Sequence, residues 1–343
     1  MKKRILIATN INDHTQSLLP KEKIMVCDGY ELIQVEPQTK LIGDQVIPNH
    51  DLLVTSRTDA VVAAMRCVPK EAVIFVPFYE KAMQAAILHK LFREKEGIYI
   101  PKTWGCIDNS GGRYDSLHHD YSDTVVIKST TGARGEEQIY CHRNLISSVV
   151  QRLKYCGGMD ARKVMDTYPD AVVVPTTESD SCFRDDNLLI QEYINVQKEF
   201  RVNFVGDRYW VGYRGNRKSH KSASGLLEYT QCNVERGSTV TEMYTYASDN
   251  YLLNNPHKTF LDSRMFLTLI EIQTLHQIVK TVIAYAGLPA GSIDIFVDNS
   301  GRMGVFEFSS EYGSEKIPSN ILAEIHNATC QYLIERFKNA YKE

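Results

Sequence analysis

Two carboxylates, Asp294 and Glu307, are each set in a short run of large apolar, β-prone residues: Ser292-Ile293-Asp294-Ile295-Phe296-Val297 and Met303-Gly304-Val305-Phe306-Glu307-Phe308. The runs are joined by Asp298-Asn299-Ser300-Gly301, a turn sequence, and so predict a β-hairpin with both acids on one face. A carboxylate inside an apolar strand is costly to bury unless positive charge neutralises it, and hard oxygen ligands suit Mg²⁺ and the phosphates bound with it. Taken alone, the pair fits equally well a surface hairpin with both acids in water.

Two upstream segments carry complementary chemistry. Val125-Val126-Ile127-Lys128 is a strand ending in a lysine, and Ser129-Thr130-Thr131-Gly132-Ala133-Arg134-Gly135-Glu136 is a small, hydroxylated loop with two glycines. Such a loop can turn backbone N–H groups toward phosphates while the lysine adds a point charge. It is neither a Walker A loop nor the glycine-rich loop of protein kinases. An ordinary hairpin with a surface lysine would look the same in isolation.

Leu188 to Ile194 form a strand that runs into a short linker before Glu199-Phe200-Arg201-Val202. Main-chain groups where a strand breaks can meet an adenine edge, and a carboxylate a few residues on can accept from ribose hydroxyls. The two-residue period of a strand puts Arg201 on the face of Glu199, where it can reach a phosphate. A surface Glu/Arg ladder is the plain alternative. A local basic stretch also includes Arg208, Arg214, Arg217, Lys218, His220 and Lys221.

These residues need elements to hold them, and 343 residues are enough for two or three lobes with a cleft between them. At 43% hydrophobic and 24% charged, the composition is that of a globular protein, and no apolar run approaches a membrane span. The start, Met1-Lys2-Lys3-Arg4-Ile5-Leu6, passes directly into a strand without the apolar core of a signal peptide, which predicts a cytoplasmic location. The eight cysteines have no metal-ligand spacing. A net charge of −3 argues against nucleic acid as a partner.

The fold class expected is α/β (α+β). Strands at Arg4 to Ala8, Lys23 to Cys27, Asp51 to Thr55 and Ala72 to Val76, with a helix over Ala60 to Arg66, predict an N-terminal domain over residues 1–78. A helix over Tyr79 to Glu94, the lysine-ended strand and a helix over Asn144 to Lys154 predict a central lobe over 79–187. The remainder, 188–343, is expected to hold a Gly206-Asp207 hairpin, an irregular and mobile stretch over 218–258, a helix over 263–286, the acidic hairpin and a closing helix over 319–341.

In this order, Lys128 to Gly135, Gln191 to Ile194, Glu199 to Arg201, Asp294, and Glu307-Phe308-Ser309 resemble the ATP-grasp superfamily of carboxylate-amine ligases. The resemblance is greatest to the branch with ribosomal-protein S6 glutamate ligase, glutathione synthetase and D-alanine-D-alanine ligase. It implies two α/β lobes clasping ATP behind a small N-terminal domain. It further implies nucleotide binding by Lys81, Lys128, Thr131, Gly132, Arg134 and Gly135, an adenine pocket from Gln191, Glu192, Tyr193 and Ile194, and Glu199 on the ribose. Asp294, Glu307 and Ser309 would hold one or two Mg²⁺ ions, with Mn²⁺ as a substitute. Lys128, Arg201 and Arg214 would serve catalysis.

One position departs from the family, which has Glu-x-Asn where this chain has Glu307-Phe308-Ser309. A serine hydroxyl is shorter than an amide and a weaker donor. The implied reaction transfers the γ-phosphoryl group of ATP to a small-molecule or peptide carboxylate, and an amine then attacks the acyl phosphate, releasing ADP and phosphate. An ATP-binding or regulatory protein with little turnover is the first alternative, and a phosphotransferase or nucleotidyl-transfer enzyme is the second. A homodimer is expected by analogy alone.

Overall fold

The computed structural model describes residues 3–9, 24–35, 52–56, 68–75, 79–104, 122–129, 138–155, 167–174, 188–215, 218–222, 224–225, 228–231, 239–246, 267–310 and 317–342. The N-terminal sheet contains β1 (Lys3–Thr9), β2 (Ile24–Cys27), β3 (Tyr30–Val35), β4 (Leu52–Ser56) and β5 (Val73–Phe75) in the order β2-β3-β1-β4-β5. β1 lies parallel to β3 and β4, and β4 to β5, whereas β2 and β3 form an antiparallel hairpin. Its turn is Asp28-Gly29, both at positive φ (48° and 82°), the geometry that Asp-Gly favours between twisted strands. β3 is missing from the reading above, although Asp28-Gly29 marks it. The helix expected over Ala60 to Arg66 lies outside the described residues.

Helix α1 (Lys81–Phe92) leads to β6 (Ile98–Tyr99) and β7 (Thr103–Trp104). A second sheet follows, from β8 (Thr124–Ser129), β9 (Gln138–His142), β10 (Val172–Val174) and β11 (Leu188–Glu192), in the antiparallel order β10-β9-β8-β11-β7. Its core joins Val125, Ile127, Ile139 and Ile190 to Ile146, Val149 and Val150 of helix α2 (Ile146–Tyr155).

The third sheet carries the acids. It is built from β12 (Val196–Val205), β13 (Arg208–Gly215), β16 (Thr239–Tyr246), β17 (Ala290–Asp298) and β18 (Met303–Ser309), with β6 on its edge, in the order β16-β13-β12-β17-β18-β6. β14 (Lys218–Lys221) and β15 (Glu228–Gln231) pair separately. The stretch 218–258, expected to be irregular, therefore contains three strands. The β-branched and aromatic residues among Thr239 to Tyr246 suit the strand that pairs with β13. Helix α3 (Leu269–Ala286) starts at a capping box formed by Thr268 and Glu271 and stops at Gly287, which has φ 63°. Residues 263–266 of the expected helix lie outside the described residues. Helix α4 spans Ser319–Tyr341.

The strand period divides the third sheet into two faces. Phe200, Val202 and Phe204 point into a core with Leu88 and Phe92 of α1 and with Leu275, Ile278 and Val282 of α3. On the opposite face Val205, Trp210 and Ala290 pack with α4 and the N-terminal sheet. β11 belongs to the second sheet through its pairing with β8, and Leu88 of α1 and Ile98 of β6 bury against the third sheet.

β6 reaches β18 only because Gly304 has no side chain. A Cβ there would lie 2.1 Å from the Tyr99 carbonyl oxygen and 2.5 Å from Cζ of Phe296. Gly304→Ala is expected to cost about 1–3 kcal/mol, the usual range for overpacking, read as a lower urea midpoint at unchanged slope. An unchanged midpoint would show that β6 is not held against β18.

Candidate active site

Strand register gathers the charged residues into one row. Asp294 faces Glu307 across β17 and β18, and on its other side faces Arg201 of β12. Glu199 faces Arg214 across β12 and β13. A bulge sits beside Asp294, because Ile295 pairs with Val305 and Phe306 is the extra residue; its ring packs on Phe296 at a centroid distance of 4.3 Å. Ser309 faces Ser292, two residues along the strand from Glu307.

The row is dense in charge, with Glu199, Arg214 and Asp294 buried and Arg201 and Glu307 partly so. Arg214 is 7% exposed and Asp294 6%. Arg214 Nη1 lies 2.7 Å from Glu199 Oε1, and its Nη2 lies 3.4 Å from Asp294 Oδ1, which is 3.0 Å from Arg201 Nε. Burial works against the Arg214 charge, but Asp294 and Glu199 outweigh it and hold the group above its ordinary value. For Arg201 burial prevails over Asp294, and its pKa is lowered. Close as they are, these contacts leave valence unmet: Asp294 Oδ1, Arg201 Nε and Arg214 Nε are buried without a hydrogen bond.

Lys128 comes to this row from the second sheet. Its Nζ donates to Gln191 Oε1 at 2.8 Å, and Gln191 Nε2 donates to Thr103 Oγ1 at 3.1 Å. Burial pushes the Lys128 ammonium down to about 8; Glu307 opposes the shift and Lys81 adds to it. A small cavity is lined by Lys81, Gln84, Lys128, Gln191, Phe306 and Glu307. The structure thus brings Lys81, Lys128, Gln191 and Glu307 together.

The linker after β11 is tied down from both sides. Glu192 Oε2 accepts from the Tyr99 hydroxyl and from the Lys102 N–H, and the Glu192 N–H donates to the Lys102 carbonyl. Tyr193 donates its N–H to Thr124, and Ile194 is buried. Burial, with Glu192 second, pushes the Tyr99 hydroxyl up to about 12. Arg302 stacks over the Tyr99 ring at 4.1 Å and is held by Asp298. Gln191 and Glu192 therefore direct their side chains to Lys128 and Tyr99, where an adenine pocket was expected. Gln84, Tyr99, Thr103 and Arg302 are absent from the sequence reading; only Gln84, one helical turn after Lys81, has a spacing that could have marked it. Thr131, Gly132, Arg134 and Gly135 lie outside the described residues.

The row has the donor set of a hard divalent cation site: two facing carboxylates, one with a buried oxygen that accepts no hydrogen bond, and a hydroxyl nearby. Among the described residues no group of three or more His, Cys, Asp or Glu comes together, so a ligand would have to complete the shell. No helix among them is long and apolar enough to cross a membrane.

No family description and no curated protein matches the chain. Among solved structures it is similar to D-alanine-D-alanine ligase from Bacillus anthracis, at 14% identity and a TM-score of 0.50, over 99% of each chain. The same enzyme complexed with ATP gives 14% identity and a TM-score of 0.50 over 100% of this chain and 99% of that one. This likeness extends over nearly the whole length and takes in all three sheets: the chain has the ATP-grasp fold.

Proposed function

We propose that the protein is a Mg-ATP-dependent ligase that joins a carboxylate to an amine through an acyl phosphate. The observation that carries this reading is the unmet valence of the buried row. Asp294 offers an acceptor to a cation, and Arg201 and Arg214 offer donors to an anion, all on one face. A metal bound to a polyphosphate presents both partners at once.

In this reading Lys81 and Lys128 hold the phosphates. The main chain at Tyr193 and Ile194 takes the adenine edge, with Gln191 and Glu192 bracing it, and Glu199 meets the ribose. Asp294 and Glu307, with Ser309 beside them, would hold magnesium, which supplies neutralising charge for the β- and γ-phosphates. A carboxylate oxygen of the substrate attacks the γ-phosphorus and ADP leaves. Arg201 and Arg214 hold the acyl phosphate while the amine attacks its carbonyl carbon and phosphate leaves. Excluding water matters, because a wet acyl phosphate is hydrolysed. Both substrates are small molecules or peptides.

Nucleotide products from Mg-ATP with a pool of amino acids, small carboxylates and amines test the reading. ADP and phosphate are expected in equal amounts, dependent on the pool, and reduced by about 10²-fold or more in Lys128→Ala and Glu307→Ala, the scale of losing a charge-stabilising group. ATP binding without ADP would favour a non-catalytic binding protein, for which Ser309 in place of an amide is the motive. AMP would indicate nucleotidyl transfer.

The depressed Lys128 value also has a consequence for pH. Phosphate favours the ammonium form, so above about pH 8 binding must take up a proton. ATP affinity is expected to be level below pH 7 and to fall above pH 8 by up to about tenfold per unit. Calorimetric titration across pH 6.5–9.5 checks this, with the slope absent in Lys128→Met; a slope that persists in that variant would assign the titration elsewhere.

A further inference from the structure

We infer that Gln84 is a positioning residue for the phosphate-binding lysines, a neutral second anchor for the Lys128 ammonium opposite Gln191. Gln84 is 9% exposed and sits on α1, three residues after Lys81. Its amide cannot turn freely, because Nε2 donates to the Tyr79 carbonyl at 2.6 Å. Tyr79 is itself fixed: its hydroxyl donates to the Ala286 carbonyl at the end of α3, and its ring meets Phe308 of β18 edge-on at 5.5 Å. With Nε2 committed, Oε1 is the acceptor left over, and it is buried without a hydrogen-bond donor.

An unsatisfied buried carbonyl is unfavourable, and native structures keep one only rarely. This one belongs to a side chain that lines the cavity of Lys81, Lys128 and Glu307. The lysines of that lining can supply the N–H that satisfies Gln84. A charged lysine has three N–H groups in tetrahedral array. Lys128 gives one to Gln191. Gln84 can take the second, which leaves the third for a phosphate oxygen and fixes its direction.

The neutrality of the amide is part of the device. Lys81 and Lys128 repel one another across the cavity, as the effect of Lys81 on Lys128 records. A carboxylate at 84 would pair with an ammonium and compete with the ligand for it. A carbonyl dipole steadies the ammonium and leaves its charge available.

The inference rests on reading the cavity as a phosphate site but needs neither adenine nor turnover, so inorganic tripolyphosphate is the probe. Calorimetry on the full chain compares wild type, Gln84→Met, Lys128→Met and the double variant. Gln84→Met is expected to bind about tenfold more weakly, the effect of one charge-assisted hydrogen bond, and to have no further effect in the Lys128→Met background. Equal binding by wild type and Gln84→Met overturns the inference, as does the same loss in both backgrounds or no tripolyphosphate binding by wild type. If Gln84→Met does not fold, Gln84→Glu keeps the size of the side chain and should bind more than tenfold more weakly; unchanged or tighter binding overturns the inference. Tripolyphosphate binding that depends on Gln84 in a protein that turns over no ATP would uphold it while the ligase reading fails.

Discussion

The site depends on how Asp294 is neutralised. Its carboxylate is buried on the third sheet between two guanidinium groups, with Arg201 Nε at 3.0 Å and Arg214 Nη2 at 3.4 Å. Stripping one partner from a buried pair typically costs about 3–5 kcal/mol, so none of these groups is buried without the others. Arg214 Nη1 donates to Asp294 Oδ2 at 3.5 Å, yet Asp294 Oδ1 and both arginine Nε atoms are left unsatisfied. A set of charges selected for stability alone would close those bonds. Charges left partly open suit a ligand that brings both signs.

The remaining architecture serves to keep that row in place. One face of β12 supplies Phe200, Val202 and Phe204 to the core with α1 and α3, and the alternate residues supply Glu199 and Arg201 to the site. Core packing on one side thereby fixes the register of the charges on the other. The bulge at Phe306 and the bare backbone of Gly304 let β18 carry Glu307 and still accept β6. β6 in turn holds Tyr99, which reaches Glu192 at the end of β11, where the chain leaves the second sheet for the third. Arg302, just after the turn of the acidic hairpin, stacks on the same tyrosine. Charged row and linker are thus one connected structure.

The acidic hairpin could be read from the sequence because its signal is local: two apolar strands, a turn of Asp-Asn-Ser-Gly, and one acid at a matching position in each. The Gly206-Asp207 hairpin and the closing helix are legible for the same reason. Long-range assembly was not. That α1 and β6 pack on the third sheet is decided by the burial of Leu88, Phe92 and Ile98 among residues more than a hundred positions away. β16 was hidden by the polar stretch around it, although Thr239 to Tyr246 are mostly β-branched or aromatic. At the site, Glu199, Arg201 and Asp294 were visible as residue types in order, but the pairing of Glu199 with Arg214, and the use of Gln191 and Glu192 as braces, follow only from the register of separate strands.

The open valence of the Asp294 row suits a cation bound to a polyphosphate. The most direct measurement is calorimetric ATP affinity with and without Mg²⁺, in wild type and in Asp294→Asn. Mg²⁺ is expected to tighten ATP binding by about tenfold or more in wild type, the scale of one strong charge contact, and the amide variant to lose this gain. The same gain from Mg²⁺ in both proteins would contradict this, because the metal would then be held by the nucleotide without Asp294.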